Sequence, residues 1–182
     1  MTTFPFLSHA GFMLFAIAAA NSLGARALMY YLIPYCAMSL GAFAVVAARE
    51  RELGAPVTLD NLAGFGWERP FLGVAMWVFM LGFLGFPLTG GFFGKFYIFK
   101  AALDANLVWL TVLGLLNSAV AAYYYLRILV VMYFKDPAES VENLPAPGLG
   151  IQIAVFGSAL GTLLLGIFPS AILEFASKAA LR

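Results

Sequence analysis

The chain has 182 residues, of which 63% are hydrophobic and only 10% are charged, whereas about a quarter of the residues in a soluble domain are charged. Ten basic and nine acidic side chains cannot cover the surface of a water-soluble protein of this size. The composition therefore excludes a soluble enzyme and indicates an integral, multi-pass membrane protein whose solvent is the lipid bilayer. The net charge of +1 does not indicate a basic surface for binding nucleic acid. The single cysteine, Cys36, excludes both a disulfide framework and a cysteine zinc site.

Apolar tracts long enough to span a membrane follow one another along the chain, since a spanning helix needs about 20 such residues. They cover residues 4–22, 27–48, 70–103, 107–134 and 149–168. A polar stretch at 53–68 and a polar loop at 135–148 separate some of them, and a short amphipathic tail follows residue 169. The sequence predicts one all-helical membrane domain over residues 1–182, a transmembrane helix bundle with about five crossings.

The third tract has an unusual length. Its 34 residues would form a helix of about 51 Å, while the hydrocarbon core is about 30 Å thick and two crossings need roughly 40 residues. In its middle, Gly85, Pro87, Gly90 and Gly91 lie close together. Proline removes a backbone donor and glycine favours non-helical torsions. We therefore predict one discontinuous crossing, made of two half-helices joined by a non-helical stretch over residues 85–91.

The basic residues leave the topology open. A single crossing by this tract places four basic side chains on each side of the membrane, whereas a double crossing places six on one side and two on the other. The positive-inside rule prefers the second distribution. We predict the single crossing because the tract is too short for two helices and a turn.

Lys95 lies shortly after the predicted break, in Gly94-Lys95-Phe96-Tyr97. Ionisable residues inside a membrane are costly and by default mark ion or proton pathways. A long side chain near a helix end can instead extend to the interface, which is our interpretation of Lys100. Lys95 is eight residues from the end of the tract, about 12 Å along a helix, which is too far for its side chain to reach the interface. We therefore predict that it carries protons.

His9 and Arg127 are further candidates for the proton pathway. His9 is the only histidine, and imidazole can relay protons near neutral pH, but a neutral, hydrogen-bonded histidine is an equally good interpretation. Arg127 follows Tyr123-Tyr124-Tyr125 near the end of its tract. It either takes part in the pathway, extends to the interface or pairs with carbonyl groups inside the bundle.

Nucleotide-binding, metal-binding and hydrolytic motifs are missing from the sequence. The glycines lie in membrane tracts rather than after strands, and one histidine with one cysteine cannot form a metal site. The sequence therefore predicts no catalytic, cofactor-binding or metal-binding residue in this chain.

Several motifs in order resemble one known family. Ser8-His9-Ala10-Gly11-Phe12, Gly91-Phe92-Phe93-Gly94-Lys95-Phe96-Tyr97, and Asn117-Ser118 with Tyr123-Tyr124-Tyr125-Leu126-Arg127 resemble the later helices of subunit N of the proton-pumping NADH-quinone oxidoreductase. The segments Tyr31-Leu32-Ile33-Pro34-Tyr35 and Gly82-Phe83-Leu84-Gly85-Phe86-Pro87 continue the resemblance. It implies the last five helices of an antiporter-like fold, with a broken helix that crosses once and places Lys95 in the proton path.

The resemblance carries further expectations. It implies a proton-translocating subunit that supplies the second half-channel and works with other membrane subunits in a bacterial plasma membrane. NADH, flavin, iron–sulfur clusters and quinone would belong to those partner subunits. The family's first half, with its own glutamate and lysines, has no counterpart here, and residues 2–7 depart from the family pattern, so we expect a fragment that cannot form a complete proton path alone.

Two other functions are compatible with the sequence. A subunit of a cation/proton antiporter or of a membrane-bound hydrogenase would share the fold and the lysine. A non-transporting structural subunit, in which Lys95 only ties helices together, is an alternative of another class.

Overall fold

The chain is an all-helical bundle of the polytopic membrane type over the residues that the structure, a computed structural model, describes. These are residues 3–136 and 147–170, with side chains described from residue 7 onwards. Most of the predicted polar loop at 135–148 and nearly all of the predicted tail lie outside them. The helices are α1 (Thr3–Ala18), α2 (Ser22–Leu53), α3 (Phe65–Glu68), α4 (Pro70–Leu84), α5 (Gly90–Asp104), α6 (Val108–Phe134) and α7 (Leu149–Ile167), with a 3-10 turn at Asp60–Leu62.

Within the described residues, the helices α2, α6 and α7 are long and apolar enough to cross a membrane by themselves. A fourth span results if the segment Asp60–Glu68 is joined to α4 across a bend of 113°. Helices α4 and α5 have 15 residues each, or about 23 Å, which is less than the hydrocarbon thickness of about 30 Å. Neither half spans a bilayer alone, and the number of five crossings stays a prediction.

Helix α2 lies at the centre of the bundle and packs against α1, α4, α5 and α7. Asn21 caps its first turn, because the side-chain oxygen accepts a hydrogen bond of 2.7 Å from the backbone N–H of Gly24. Gly54 ends the helix in the left-handed conformation with a φ of 62°. The buried face between these caps is the surface on which the two half-helices pack.

Helices α4 and α5 follow one another along α2 as one discontinuous helix. The close contacts, in order along α2, are Tyr31 with Gly94, Pro34 with Gly90, Met38 with Gly82, and Gly41 with Phe79. Successive residues along α2 contact positions of decreasing residue number, first in α5 and then in α4. This order is the one expected of two half-helices placed in series and antiparallel to α2.

The break itself is five residues long, from Gly85 to Thr89. Gly85 has a φ of 84°, which glycine adopts without steric cost. Its N–H donates to the carbonyl of Gly82 (3.1 Å), and the N–H of Phe86 donates to the carbonyl of Leu81 (2.9 Å), so α4 ends in a Schellman motif. A turn containing Pro87 follows, closed by the N–H of Thr89 and the carbonyl of Phe86 at 3.2 Å. Thr89 is extended, and α5 begins after it.

Gly90 and Gly91 correct the predicted extent of the break, because both lie in the first turn of α5. They are required for close packing rather than for unusual torsions. A Cβ atom at Gly90 would overlap Pro34 and Leu165, and one at Gly91 would overlap the backbone carbonyl of Gly82. The two glycines therefore let the start of α5 approach α2, α7 and the end of α4.

A charged cluster fixes the connection from α2 to α4 at one end of the bundle. Arg49 contacts Glu68 at 2.9 Å and Glu52 at 3.4 Å, and Arg69 contacts Glu52 at 2.8 Å. Arg49 also donates to the carbonyl of Asn61 from Nε (3.3 Å) and Nη2 (3.2 Å). With two positive and two negative groups, the cluster holds α3 against the end of the bundle.

Candidate functional site

Lys95 lies in the second turn of α5, and only 5% of its surface is exposed. Side chains on a helix tilt towards its N-terminus. The lysine therefore extends back to the break, where α4 has just ended.

Three oxygen atoms receive hydrogen bonds from the Lys95 ammonium group. Nζ donates to the carbonyl of Phe83 (2.9 Å), the carbonyl of Leu84 (3.1 Å) and Oγ of Ser118 on α6 (3.1 Å). An ammonium group has three N–H donors, so all of them are used. The ring of Phe12 on α1 covers the group with its centroid 4.9 Å from Nζ, within the range of a cation–π contact. We call Phe83, Leu84, Ser118 and Phe12 the lysine cage.

The lysine completes the hydrogen bonding of the end of α4. The last four carbonyl groups of a helix have no partner within the helix. In α4, those of Leu81 and Gly82 are used by the Schellman motif, and those of Phe83 and Leu84 accept from Lys95. A cation at this position also faces the negative end of the helix dipole.

Neutral groups make up all the hydrogen-bonding partners of Nζ in the part of the chain that the structure describes. The ion pairs found there involve only the charged cluster around Arg49, at the other end of α4. Lys95 therefore has no carboxylate counterion among the described residues.

His9 on α1 lies between two tyrosine hydroxyl groups. Nδ1 contacts the hydroxyl of Tyr31 on α2, and Nε2 contacts the hydroxyl of Tyr125 on α6 at 2.7 Å. All three residues are buried. A neutral imidazole donates from one nitrogen and accepts at the other, so one tyrosine donates to the ring while the other accepts from it.

The histidine and the lysine cage share aromatic neighbours. The ring of Phe83, whose carbonyl accepts from Lys95, lies 5.1 Å from the His9 ring between centroids. Phe12, which covers the ammonium group, lies 6.4 Å from the same ring. The structure thus brings His9 and Lys95 into one buried region formed by α1, α4, α5 and α6.

Comparison with known proteins identifies the family. The sequence model described as "NADH:quinone oxidoreductase/Mrp antiporter, TM" matches residues 4–121. That range includes His9, the break, Lys95 and Ser118. The chain belongs to this family.

Curated relatives extend the match over the rest of the chain. NADH-quinone oxidoreductase subunit N 1 of Solibacter usitatus is 49% identical over 180 residues, which are 99% of this chain and 37% of that protein. Subunit N of Trichlorobacter lovleyi is 41% identical over 181 residues, 98% of this chain and 37% of that protein. The resemblance inferred from the motifs is confirmed. The chain spans little more than a third of the length of these relatives.

Chains of two solved membrane complexes have the same fold. A chain of respiratory complex I from Thermus thermophilus with bound aureothin superposes with a TM-score of 0.71 at 29% identity, covering 94% of this chain and 44% of that one. A chain of the Mrp complex from Dietzia sp. superposes with a TM-score of 0.84 at 20% identity, covering 97% of this chain and 41% of that one. At that identity, the second similarity concerns the fold alone.

Arg127 lies outside the buried region that contains His9 and Lys95. It is exposed, although Tyr125 on the same helix contacts His9. Two residues along a helix are separated by about 200°, so the helix turns Arg127 away from the side that carries Tyr125. Lys100 is exposed as well, towards the end of α5.

Ser118, Tyr31 and Tyr125 are not among the residues predicted for the proton pathway, which are Lys95, His9 and Arg127. Polar side chains inside apolar helices often hydrogen-bond across helices, and that signal singles out Ser118 and the tyrosines as candidates. It does not say which residues they meet, because Ser118 is 23 positions from Lys95 and Tyr125 is 116 positions from His9.

Proposed function

We propose that this chain acts as a proton-translocating part of the membrane domain of an NADH-quinone oxidoreductase, supplying a half-channel in which Lys95 carries the proton. The family match and the relatives named subunit N support the assignment to such a complex. The observation that carries the role of Lys95 is its cage of neutral oxygen acceptors at the break.

The neutral cage suits a group that gains and loses a proton. A buried lysine paired with a carboxylate would leave an unpaired buried anion when it became neutral, which is strongly unfavourable. The partners of Lys95 are two carbonyl groups and a hydroxyl, and they carry no net charge in either state of the lysine. Irregular backbone at membrane depth is tolerated where protein or water surrounds it, and such interrupted helices mark working sites in transporters.

His9 is the second member of the proposed path. It is hydrogen-bonded on both ring nitrogens and can pass a proton by exchanging the roles of donor and acceptor. Its position beside the cage makes it a neighbour of the proton that Lys95 holds. Arg127 is not part of this proposal, because its exposed side chain lies on another side of α6.

The redox chemistry is assigned to partner subunits. NADH oxidation, with flavin and iron–sulfur clusters, and quinone reduction would occur there, while this chain contributes proton movement within the bacterial plasma membrane. Structures of complex I and of the Mrp complex are multi-subunit assemblies, which supports membrane subunits as partners.

A role in a cation/proton antiporter is the second candidate. The family description includes Mrp antiporters, and the Mrp chain shares the fold with a TM-score of 0.84. Relatives at 41% and 49% identity are nevertheless named as oxidoreductase subunits, and this higher similarity favours the first proposal. NADH-driven pumping by the assembly that contains this chain, measured against sodium-driven proton exchange, distinguishes the two.

Substitution of Lys95 tests the proton-carrying role. Lys95→Arg keeps the charge but cannot usefully lose it, so we expect it to abolish pumping about as fully as Lys95→Ala. The measurement is the number of protons pumped per NADH oxidised by the assembled complex in liposomes, with assembly checked on native gels. Lys100→Arg, an exposed position on the same helix, is the control. Normal pumping by Lys95→Arg would leave Lys95 with a structural role only.

A further inference from the structure

The three hydrogen-bond partners of Lys95 differ in what they can do with a proton. The carbonyl groups of Phe83 and Leu84 are acceptors without a hydrogen of their own to give up. Oγ of Ser118 accepts from Nζ at 3.1 Å and also carries a hydrogen that it can donate. Of the three contacts, only the serine can both accept a proton from the lysine and release one.

We propose that Ser118 is the proton gate of Lys95, the hydroxyl group through which the lysine loses and regains its proton. This inference rests on the proposed function and adds to it the residue that connects Lys95 to its proton donor and acceptor.

The transfer conserves every atom and charge. One N–H bond of the Lys95 ammonium breaks, and its proton forms a new O–H bond at Oγ of Ser118. The original hydroxyl proton of Ser118 leaves at the same time to a water molecule, which becomes hydronium. The products are a neutral lysine amine and a neutral serine whose O–H now points at Nζ, and recharging reverses each step.

The cage satisfies the lysine in both states without moving a heavy atom. The ammonium donates three hydrogen bonds, one each to Phe83, Leu84 and Ser118. The neutral amine has two N–H groups and one lone pair, so the two carbonyl groups keep their donors and the lone pair accepts from the serine hydroxyl. Unpaired buried polar groups are costly, and a third carbonyl in place of Ser118 would leave such a group in the neutral state.

Ser118 lies next to an exposed polar contact between α6 and α1. The side chain of Asn117 donates to Oγ of Ser8 at 2.8 Å, and this contact between α6 and α1 is exposed. Ser118 itself is partly exposed, whereas Lys95 is 5% exposed. We therefore place the water molecule that exchanges protons on the Asn117 side of Ser118, while Phe12 covers the ammonium group.

A pair of isosteric substitutions tests the gate. Ser118→Thr keeps the hydroxyl, and Ser118→Val has nearly the same shape without it, so any effect of the added bulk is common to both. In the assembled complex in liposomes we expect proton pumping close to wild type for Ser118→Thr. For Ser118→Val we expect a loss of about a hundredfold or more, the lower end of the effect of a positioned proton-transfer group.

Each outcome decides between the gate and its alternatives. Equal pumping by Ser118→Val and Ser118→Thr overturns the inference. If neither assembles, Ser118→Ala is compared with wild type, and undiminished pumping by Ser118→Ala overturns it equally. Lys95→Arg is measured in parallel: pumping by that variant removes the proposed function itself, whereas its loss together with active Ser118→Val removes only the gate.

Discussion

Gly85 connects the end of α4 with the position of Lys95. Its φ of 84° is in the left-handed region, and a Cβ atom there would lie 3.1 Å from Cδ of Lys95. A side chain at this residue would therefore disturb both the Schellman motif and the aliphatic part of the lysine. The same residue that ends the helix leaves space for the side chain that completes its hydrogen bonding.

We expect Gly85→Ala to destabilise the fold by about 1–2 kcal/mol, the cost of the left-handed conformation for an L-residue. Gly157→Ala is the control, because a Cβ atom there meets nothing within 4 Å and alanine is the better helix former. The measurement is thermal unfolding of the purified protein in detergent, followed by circular dichroism. Equal stability of the two variants would show that the left-handed conformation of Gly85 imposes no cost on alanine at this position.

At the residue scale, the sequence identifies Lys95 but not its cage. A lysine deep in an apolar tract can be recognised from the sequence alone, because the free-energy cost of placing its charge in the membrane depends on the local composition. The partners come from α4, α6 and α1, and no local pattern links them. The same holds for His9, whose two tyrosine contacts come from α2 and α6. Its role as a proton relay stays a prediction.

The discontinuous helix is the element on which the site depends. Tract length and the cluster of glycine and proline indicated a break near residue 85, and α4 ends at Leu84. The predicted end of the break was wrong, since α5 already begins at Gly90. A glycine in the sequence can indicate either a left-handed backbone torsion or a close contact between helices. At Gly90 and Gly91 the glycine is required by a close contact.

The serial arrangement of α4 and α5 along α2 predicts that the two half-helices make one crossing. Single cysteines near Gly54 and near Lys100, introduced into a Cys36→Ala background, should then react with membrane-impermeant reagents from opposite sides. Right-side-out and inside-out vesicles provide the two measurements. Labelling of both positions from the same side would support two crossings, as the distribution of basic residues suggested.

The charged cluster at the end of α2 should hold the connection to α4 in place. Arg49 is 2% exposed, and removing one partner of a buried ion pair costs about 3–5 kcal/mol because a charge is left unpaired. We therefore expect Arg49→Ala to expose residues 54–69 to limited proteolysis. Arg51→Ala, an exposed neighbour on the same helix, should leave the cleavage pattern unchanged, and an unaltered pattern for Arg49→Ala would contradict the role of the cluster.

At the scale of the whole molecule, large apolar side chains remain exposed on α6 and α7, among them Leu116, Val120, Phe156 and Leu160. Such surfaces suit contact with lipid or with other membrane helices. The curated relatives named subunit N are more than twice as long as this chain, which covers 37% of their length. We therefore predict that the proposed half-channel uses helices beyond those described here to form a continuous path.

We expect that this chain alone, reconstituted in liposomes, does not conduct protons. A potassium diffusion potential provides the driving force, and a pH-sensitive dye in the lumen reports the flux. Lys95→Ala in the same liposomes gives the background. Acidification well above that background would show a complete path within these 182 residues.

The membrane environment and the helical class followed from the sequence alone, and so did the expectation of a break near residue 85 and of a lysine within an apolar tract. Each of these depends on local composition, because the bilayer forces backbone hydrogen bonds into helices and makes a buried charge costly. The groups that contact Lys95 and His9, and the orientation of Arg127 away from them, became known from the folded structure. Those contacts depend on the rotation of each helix about its axis and on its position along its neighbours. Packing between α1, α2, α4, α5 and α6 sets both, and side chains far apart in the chain determine that packing.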